Sequence, residues 1–226
     1  MHKPIIYLGP SLSHEKARKV FDADYRPPAK KGDFLKLSGF EEEISIVGLV
    51  DGVFLQDYPP TPIEVYHLAI KKNMVLVGAA SLGALRAVEL EKFGMIGIGK
   101  IFELYKRRKI FADDEVAVTF AEEDHKIQSE AMIDIRFNLF IAHKKGIIKE
   151  STKLAIAKVA KDMYFPYRNY NDIIDQTKNK YYTLVDDLER FRSYISVNRQ
   201  SLKEQDAIKL IEFIKRRYNH QQQLNK

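Results

Sequence analysis

The sequence predicts an α/β fold: a small parallel sheet with flanking helices in a Rossmann-like N-terminal half, followed by a helical C-terminal lobe. Three observations carry this. Apolar runs rich in β-branched residues alternate with helix-spaced segments through the first half, the grammar of a parallel sheet covered on both faces. Each run ends in small or polar residues, where such a sheet hands its chain over to a helix. Beyond about residue 127 the alternation gives way to long amphipathic stretches.

In chain order, Ile5-Ile6-Tyr7-Leu8 is the first strand, ended by Gly9-Pro10-Ser11, and Ser13 caps a helix running to Phe21. Residues 23–33 are too rich in proline and charge for a regular element and read as an ordered loop over the rim of the sheet. Residues 44–50 form the second strand, closed by Asp51-Gly52. Thr61-Pro62-Ile63-Glu64 combines an N-cap, a first-turn proline and a capping-box glutamate, and Asn73 can stop the helix it opens. Residues 74–77 form the third strand, running into Gly78-Ala79-Ala80-Ser81. Residues 128–142, 152–163, 170–178, 183–194 and 201–218 read as helices, the last opened by the Ser201-Leu202-Lys203-Glu204 box. The expected division is an α/β core over residues 1–126 and a helical lobe over 127–226, packed together as one compact body.

At 226 residues and 45% hydrophobic content the chain can bury one sizeable core. It lacks a charged-then-apolar signal pattern, and no apolar run approaches the roughly 20 residues of a membrane span, so a soluble cytoplasmic protein is expected. With no cysteine, disulfides, thiolate zinc sites and cysteine persulfides are excluded, and any sulfur handled here arrives on another molecule. The net charge of +6 suits an acidic partner or an ordinary solvated surface. No RNA-binding, zinc-finger or phosphate-loop motif accompanies it, and a nucleic-acid partner is not expected.

Ser81 is the residue most suited to chemistry. It stands between a buried strand and a helix, with Ala79 two before and Gly83 two after, a pattern like the nucleophile elbow Gly-x-Ser-x-Gly in which small neighbours fit a sharp turn. A hydroxyl there sits at a helix start, where unpaired N–H groups, that of Leu82 among them, can hold an oxyanion. In open α/β sheets ligands gather beyond the carboxyl ends of strands, which would bring Ser11, Asp51 and Ser81 to one rim. The base for the serine is open among His67, His125 and a lysine. The adjacent Lys30 and Lys31 lie in the rim loop, where mutual repulsion favours a neutral amine. Asp51 either positions a lysine or shapes a turn, and Arg86 either binds a carboxylate or pairs with Glu89. The carboxylates of Asp113-Asp114-Glu115 suit helix capping better than a cation, and no metal site is expected.

Gly78-Ala79-Ala80-Ser81-Leu82-Gly83-Ala84-Leu85-Arg86-Ala87, followed by residues 93–102, resembles the TfuA family. Leu8-Gly9-Pro10-Ser11, residues 25–33, Val50-Asp51-Gly52-Val53, Asp113-Asp114-Glu115-Val116-Ala117 and Ser129-Glu130-Ala131 extend the likeness over residues 5–142. The resemblance implies a partner of YcaO enzymes, which use ATP to activate a peptide amide so that sulfide replaces its oxygen. It also implies hydrolysis of a thiocarboxylated, ThiS-like sulfur-carrier protein by a serine and lysine pair, with a peptide or protein as the final substrate. No cofactor of its own follows, ATP belonging to the partner. On this resemblance Ser81 attacks the thiocarboxylate, Leu82 N–H and the backbone near Pro10 and Ser11 hold the oxyanion, and Asp51 and Arg86 line the site. Tyr66-His67-Leu68 lacks the lysine that relatives carry in that block, which leaves Lys31 and Lys30 as first candidates for the base. The alternative is a non-catalytic adaptor that docks peptide and carrier onto YcaO.

Overall fold

The protein is described by a computed structural model over residues 2–37, 45–54, 57–121 and 126–224. It divides into two compact units, Met1–Asp113 joined by Lys203–Lys226, and Asp114–Leu202. The first unit runs β1 (Ile5–Tyr7), α1 (His14–Val20), β2 (Asp24–Arg26), α2 (Asp33–Leu37), β3 (Ile46–Leu49), α3 (Pro62–Ala69), β4 (Val75–Ala79), α4 (Leu82–Leu90), β5 (Ile96–Ile98) and α5 (Gly99–Lys106). The second holds α6 (Met132–Lys144), α7 (Glu150–Asp162), α8 (Tyr170–Lys180) and α9 (Val185–Asn198), after which α10 (Leu202–Leu224) returns to the first.

The five strands among the described residues are all parallel, in the order β2-β1-β3-β4-β5. The order reverses between β1 and β3, which makes their carboxyl ends the switch point where sheets of this kind bind ligands. Side-chain alternation assigns the two faces. Val77 and Ala79 of β4 share a core with Ala17 of α1 and with Ala207, Leu210, Ile211 and Ile214 of α10. Gly78 between them faces α4, so closely that an added Cβ would lie 2.1 Å from the Gly83 carbonyl oxygen.

The helix starts follow the sequence. Ser13 accepts from Lys16 N at 3.3 Å, and Thr61 with Glu64 forms the reciprocal capping box over Pro62. α3 stops at Ala69, a turn short of Asn73. Ser201 Oγ donates to Asp134, whose other carboxylate oxygen accepts from Leu202 N at 2.7 Å, so a distant aspartate organises the start of α10.

Three features depart from the sequence reading. Residues 24–26, placed in a loop, form the edge strand β2, because Tyr25 buries its ring and donates to Phe21 O at 2.8 Å; the prolines after it are tolerated at an edge. β5 was not marked at all: it is three residues long, and its Gly97 makes room for the Phe102 ring, 2.2 Å from where a Cβ would stand. The last helix covers the sheet, so the units part at 113/114 and 202/203 rather than at 126/127. No helix among the described residues is long and apolar enough to cross a membrane.

The second unit packs Met132, Leu139, Ile156, Ile173, Leu188 and Phe191 into a core of its own. Its buried charges are matched internally. Arg168, 1% exposed, donates to Asp114, which also meets Lys161, and Arg136 forks onto Glu115. Burial alone would raise Asp114, but the bonds from Lys161 and Arg168 hold it below the usual carboxylate range. These pairings assign Asp114 and Glu115 to structure, and no cluster able to hold a metal ion occurs among the described residues.

Candidate active site at the carboxyl rim of the sheet

β1, β3 and β4 lie side by side, so Ser11, Asp51 and Ser81 follow three neighbouring strand ends. All three are nearly buried, at 5%, 0% and 8% exposure. The Asp51 carboxylate accepts from Gly9 N at 2.9 Å and Ser11 N at 3.0 Å through one oxygen, and from Ser11 Oγ at 2.6 Å through the other. Of the two roles open to Asp51, this is the turn-forming one. It ties the Gly9-Pro10-Ser11 loop to the end of β3, and the Ser11 proton points at a carboxylate.

The β4–α4 turn is built differently. Ser81 N donates to Ala79 O at 2.9 Å around Ala80, whose φ is 63°. That closes a γ-turn of the rare left-handed kind, which costs about 1–3 kcal/mol in a non-glycine residue. The strained residue thus precedes the serine, whose own φ is −106°. Fully buried Ala80 belongs to the core shared with α10, and that packing holds the turn. On the other side Gly83 N donates to Val50 O at 3.1 Å, and a Cβ on Gly83 would stand 1.8 Å from Leu49 O. Only glycine lets α4 start this close to β3. Gly52 plays the matching part, since a Cβ there would meet the Leu82 side chain at 2.2 Å.

Ser81 occupies the N-cap position but makes no capping bond, and its hydroxyl has no partner among the described residues. The fully enclosed side-chain polar atom without a partner there is Tyr194 Oη alone, so Ser81 Oγ retains access to solvent. Leu82 N–H is likewise without a partner among the described residues, whereas Ala84 N turns back to Ser81 O at 3.0 Å. A reactive-type hydroxyl and an open N–H donor therefore adjoin on one fixed turn.

The rim loop crosses the end of β3 as expected: Ala29 N donates to Asp51 O at 2.9 Å and Val53 N to Ala29 O at 3.1 Å. Its lysines are exposed. Lys30 Nζ lies 3.4 Å from Asp57, and Lys31 Nζ sits 5.8 Å from the centre of the Tyr58 ring. Arg86 pairs with Glu89 at 2.8 Å and clamps Pro60 O with two further N–H groups, which is the structural one of its two readings. His67 is exposed with its ring against Tyr66, and His125 lies outside the described residues. An open hollow of about 680 Å³ in the second unit, lined by Ile147, Asp186, Glu189, Arg190, Ser193 and Tyr194, assembles no nucleophile and base.

Two buried charges of the first unit were missed. Asp206, fully enclosed, accepts from Ile101 N at 2.7 Å at the start of α5 and meets Lys209 at 2.8 Å. Lys203, one turn earlier, is 2% exposed. The signal was present: both stand on the same stripe of the last helix as Ala207, Leu210 and Ile214, where an amphipathic helix carries apolar residues.

Fold and site together define a doubly wound α/β protein whose rim carries an accessible serine at a strand-to-helix turn. Residues 51–169, more than half of the chain, match the model of the family described as TfuA-like protein. The chain belongs to that family. The matched segment contains Asp51, Ser81 and Arg86, while Ser11, Lys30, Lys31 and Lys203 lie outside it. No curated protein matches the sequence.

Proposed function

We propose that the protein is a YcaO partner in peptide backbone thioamidation, hydrolysing a thiocarboxylated, ThiS-like carrier protein to release sulfide. The observation that carries this reading is the Ser81 hydroxyl, reachable, without a partner among the described residues, and adjoining a Leu82 N–H that likewise has none there. Ser81 Oγ attacks the thiocarboxylate carbon, the base takes the serine proton and passes it to the sulfur, the C–S bond breaks and hydrosulfide leaves, giving an acyl-serine. Water then cleaves the ester, returning Ser81 and a carboxylate with release of one proton. Hydrosulfide is a far better leaving group than an amine, so the step needs a base for the serine and for water more than a strong acid. Lys30 and Lys31, on the loop that crosses β3, are the first candidates for that base, and movement of the loop would have to release Lys30 from Asp57.

The decisive experiment compares sulfide release from a thiocarboxylated carrier by the wild type and by Ser81→Ala, with circular dichroism confirming that both fold. Loss of release in the variant is the expected result, and undiminished release would refute the serine chemistry. The adaptor reading has its own observation: Tyr58, Ile63, Ile70 and Phe93 are exposed on and around α3. It requires YcaO activation to survive Ser81→Ala and to fail when Ile63 and Phe93 are changed to serine.

A further inference from the structure

α3 turns Glu64, Val65, Leu68 and Ala69 inward and leaves its opposite side in contact with water. That side is not polar. Ile63 is 69% exposed and Ile70 48%, and half-buried Tyr66 stands between them at the i, i+3, i+7 spacing of a helix–helix seam, two turns or about 10.5 Å in length. Phe93, 49% exposed, widens the stripe: its ring meets Tyr66 edge-on at 5.0 Å, and the next residue, Gly94, packs so close that a Cβ there would lie 3.0 Å from Ala69 O. Scattered exposed hydrophobics are ordinary, but three large ones joined through a fourth form a patch, and patches of this kind mark interaction surfaces.

The charges left over around the stripe are of one sign. α3, α4 and the turn after α4 carry three carboxylates, and all are engaged: Glu64 is buried and accepts from Thr61 N at 2.9 Å, Glu89 pairs with Arg86 at 2.8 Å and Glu91 with Lys106 at 2.6 Å. Lys72, two residues beyond Ile70, and Lys92, immediately before Phe93, are exposed and form no ion pair among the described residues. The imbalance belongs to the whole unit: residues 114–202 hold equal numbers of acidic and basic side chains, so the net charge of +6 falls entirely on the first unit.

We infer that the stripe of Ile63, Tyr66, Ile70 and Phe93 is the docking surface for an acidic amphipathic helix of a partner protein, whose apolar edge lies along α3 and whose carboxylates meet Lys72 and Lys92. Such docking rests on the partner reading of the preceding subsection, for which it names the chemistry of what binds, and is independent of the chemistry at Ser81. The same charges argue against a second copy of this chain, because a two-fold interface would bring these lysines together with those of the other copy. The seam spacing favours a helix over a bilayer, since lipid demands apolar area and no register.

The probe is a synthetic helical peptide of about 20 residues, with leucines at i, i+3 and i+7 along one edge and glutamates flanking them. It is titrated by fluorescence anisotropy into the full chain beside a twin in which lysines replace the glutamates. The acidic peptide should bind at least about 10-fold more tightly than the basic one. Ile63→Ser with Phe93→Ser should weaken its binding about 100-fold. Lys72→Glu with Lys92→Glu should reverse the preference, so that the basic peptide binds better, a result that a misfolded protein cannot give. No binding of either peptide, equal binding of both, or an unchanged preference in the Lys72→Glu, Lys92→Glu protein overturns the inference. Dimerisation abolished by Ile63→Ser, or sedimentation with phosphatidylserine vesicles without peptide binding, also overturns it and assigns the stripe to a second copy or to a membrane. Ser81→Ala should bind the acidic peptide as the wild type does, so docking and sulfide release are read separately.

Discussion

Ser11 and Ser81 stand on the same rim, two strands apart and equally enclosed, yet their hydroxyls have opposite fates. Ser11 donates to a fully buried carboxylate and helps hold a loop in place. Ser81 follows a backbone turn held by packing, and its hydroxyl bonds to nothing described. The difference teaches that a near-buried serine is not informative by itself. What separates a structural hydroxyl from an available one is whether the surrounding backbone needs it.

Four substitutions break or sharpen that contrast. The largest effect belongs to Asp51→Ala, which leaves two N–H groups and the Ser11 hydroxyl unpaired and should lower stability by about 3 kcal/mol, read as a fall in the urea midpoint. Ser11→Ala removes a single bond to a charged group and should lose about 1.5 kcal/mol on the same titration. Ala80→Gly relieves a strained φ but loses a buried methyl and gains chain entropy in the unfolded state. These terms nearly cancel, for a net change within about 0.5 kcal/mol, while sulfide release falls because Ser81 is no longer aimed by a stiff turn. Ser81→Ala should be the mildest thermodynamically, shifting stability by under about 0.5 kcal/mol while abolishing sulfide release. A destabilisation as large as that of Ser11→Ala would place Ser81 among the structural hydroxyls.

The same rim measures how far the sequence could be read. β1, β3 and β4 were legible because their apolar runs are continuous, and α1 and α3 because Ser13 and the Thr61 box are local devices. β2 and β5 were not, since Asp24-Tyr25-Arg26 and Ile96-Gly97-Ile98 are not continuous apolar runs and acquire strand character only from the neighbour they pair with. Ser81 was found from its small neighbours, but the strain on Ala80 depends on φ, which composition does not reveal. The exposed setting of Lys30 and Lys31 depends on Asp57 and Tyr58, which no local pattern links to them. Lys203 and Asp206 were overlooked for the reverse reason: a charge on the apolar stripe of a helix gains meaning only once it is known which layer the helix covers.

The return of α10 to the sheet has a consequence for synthesis. Ala207, Leu210, Ile211 and Ile214 supply one wall of the core over β1, β3 and β4, and they leave the ribosome only after the whole of the intervening unit. The intervening unit, contiguous from Asp114 to Leu202 and with a core of its own, can consolidate on the emerging chain while the sheet still lacks its cover. The cover of the sheet, with Lys203 and Asp206 on that same segment, is added only after the intervening unit has been made.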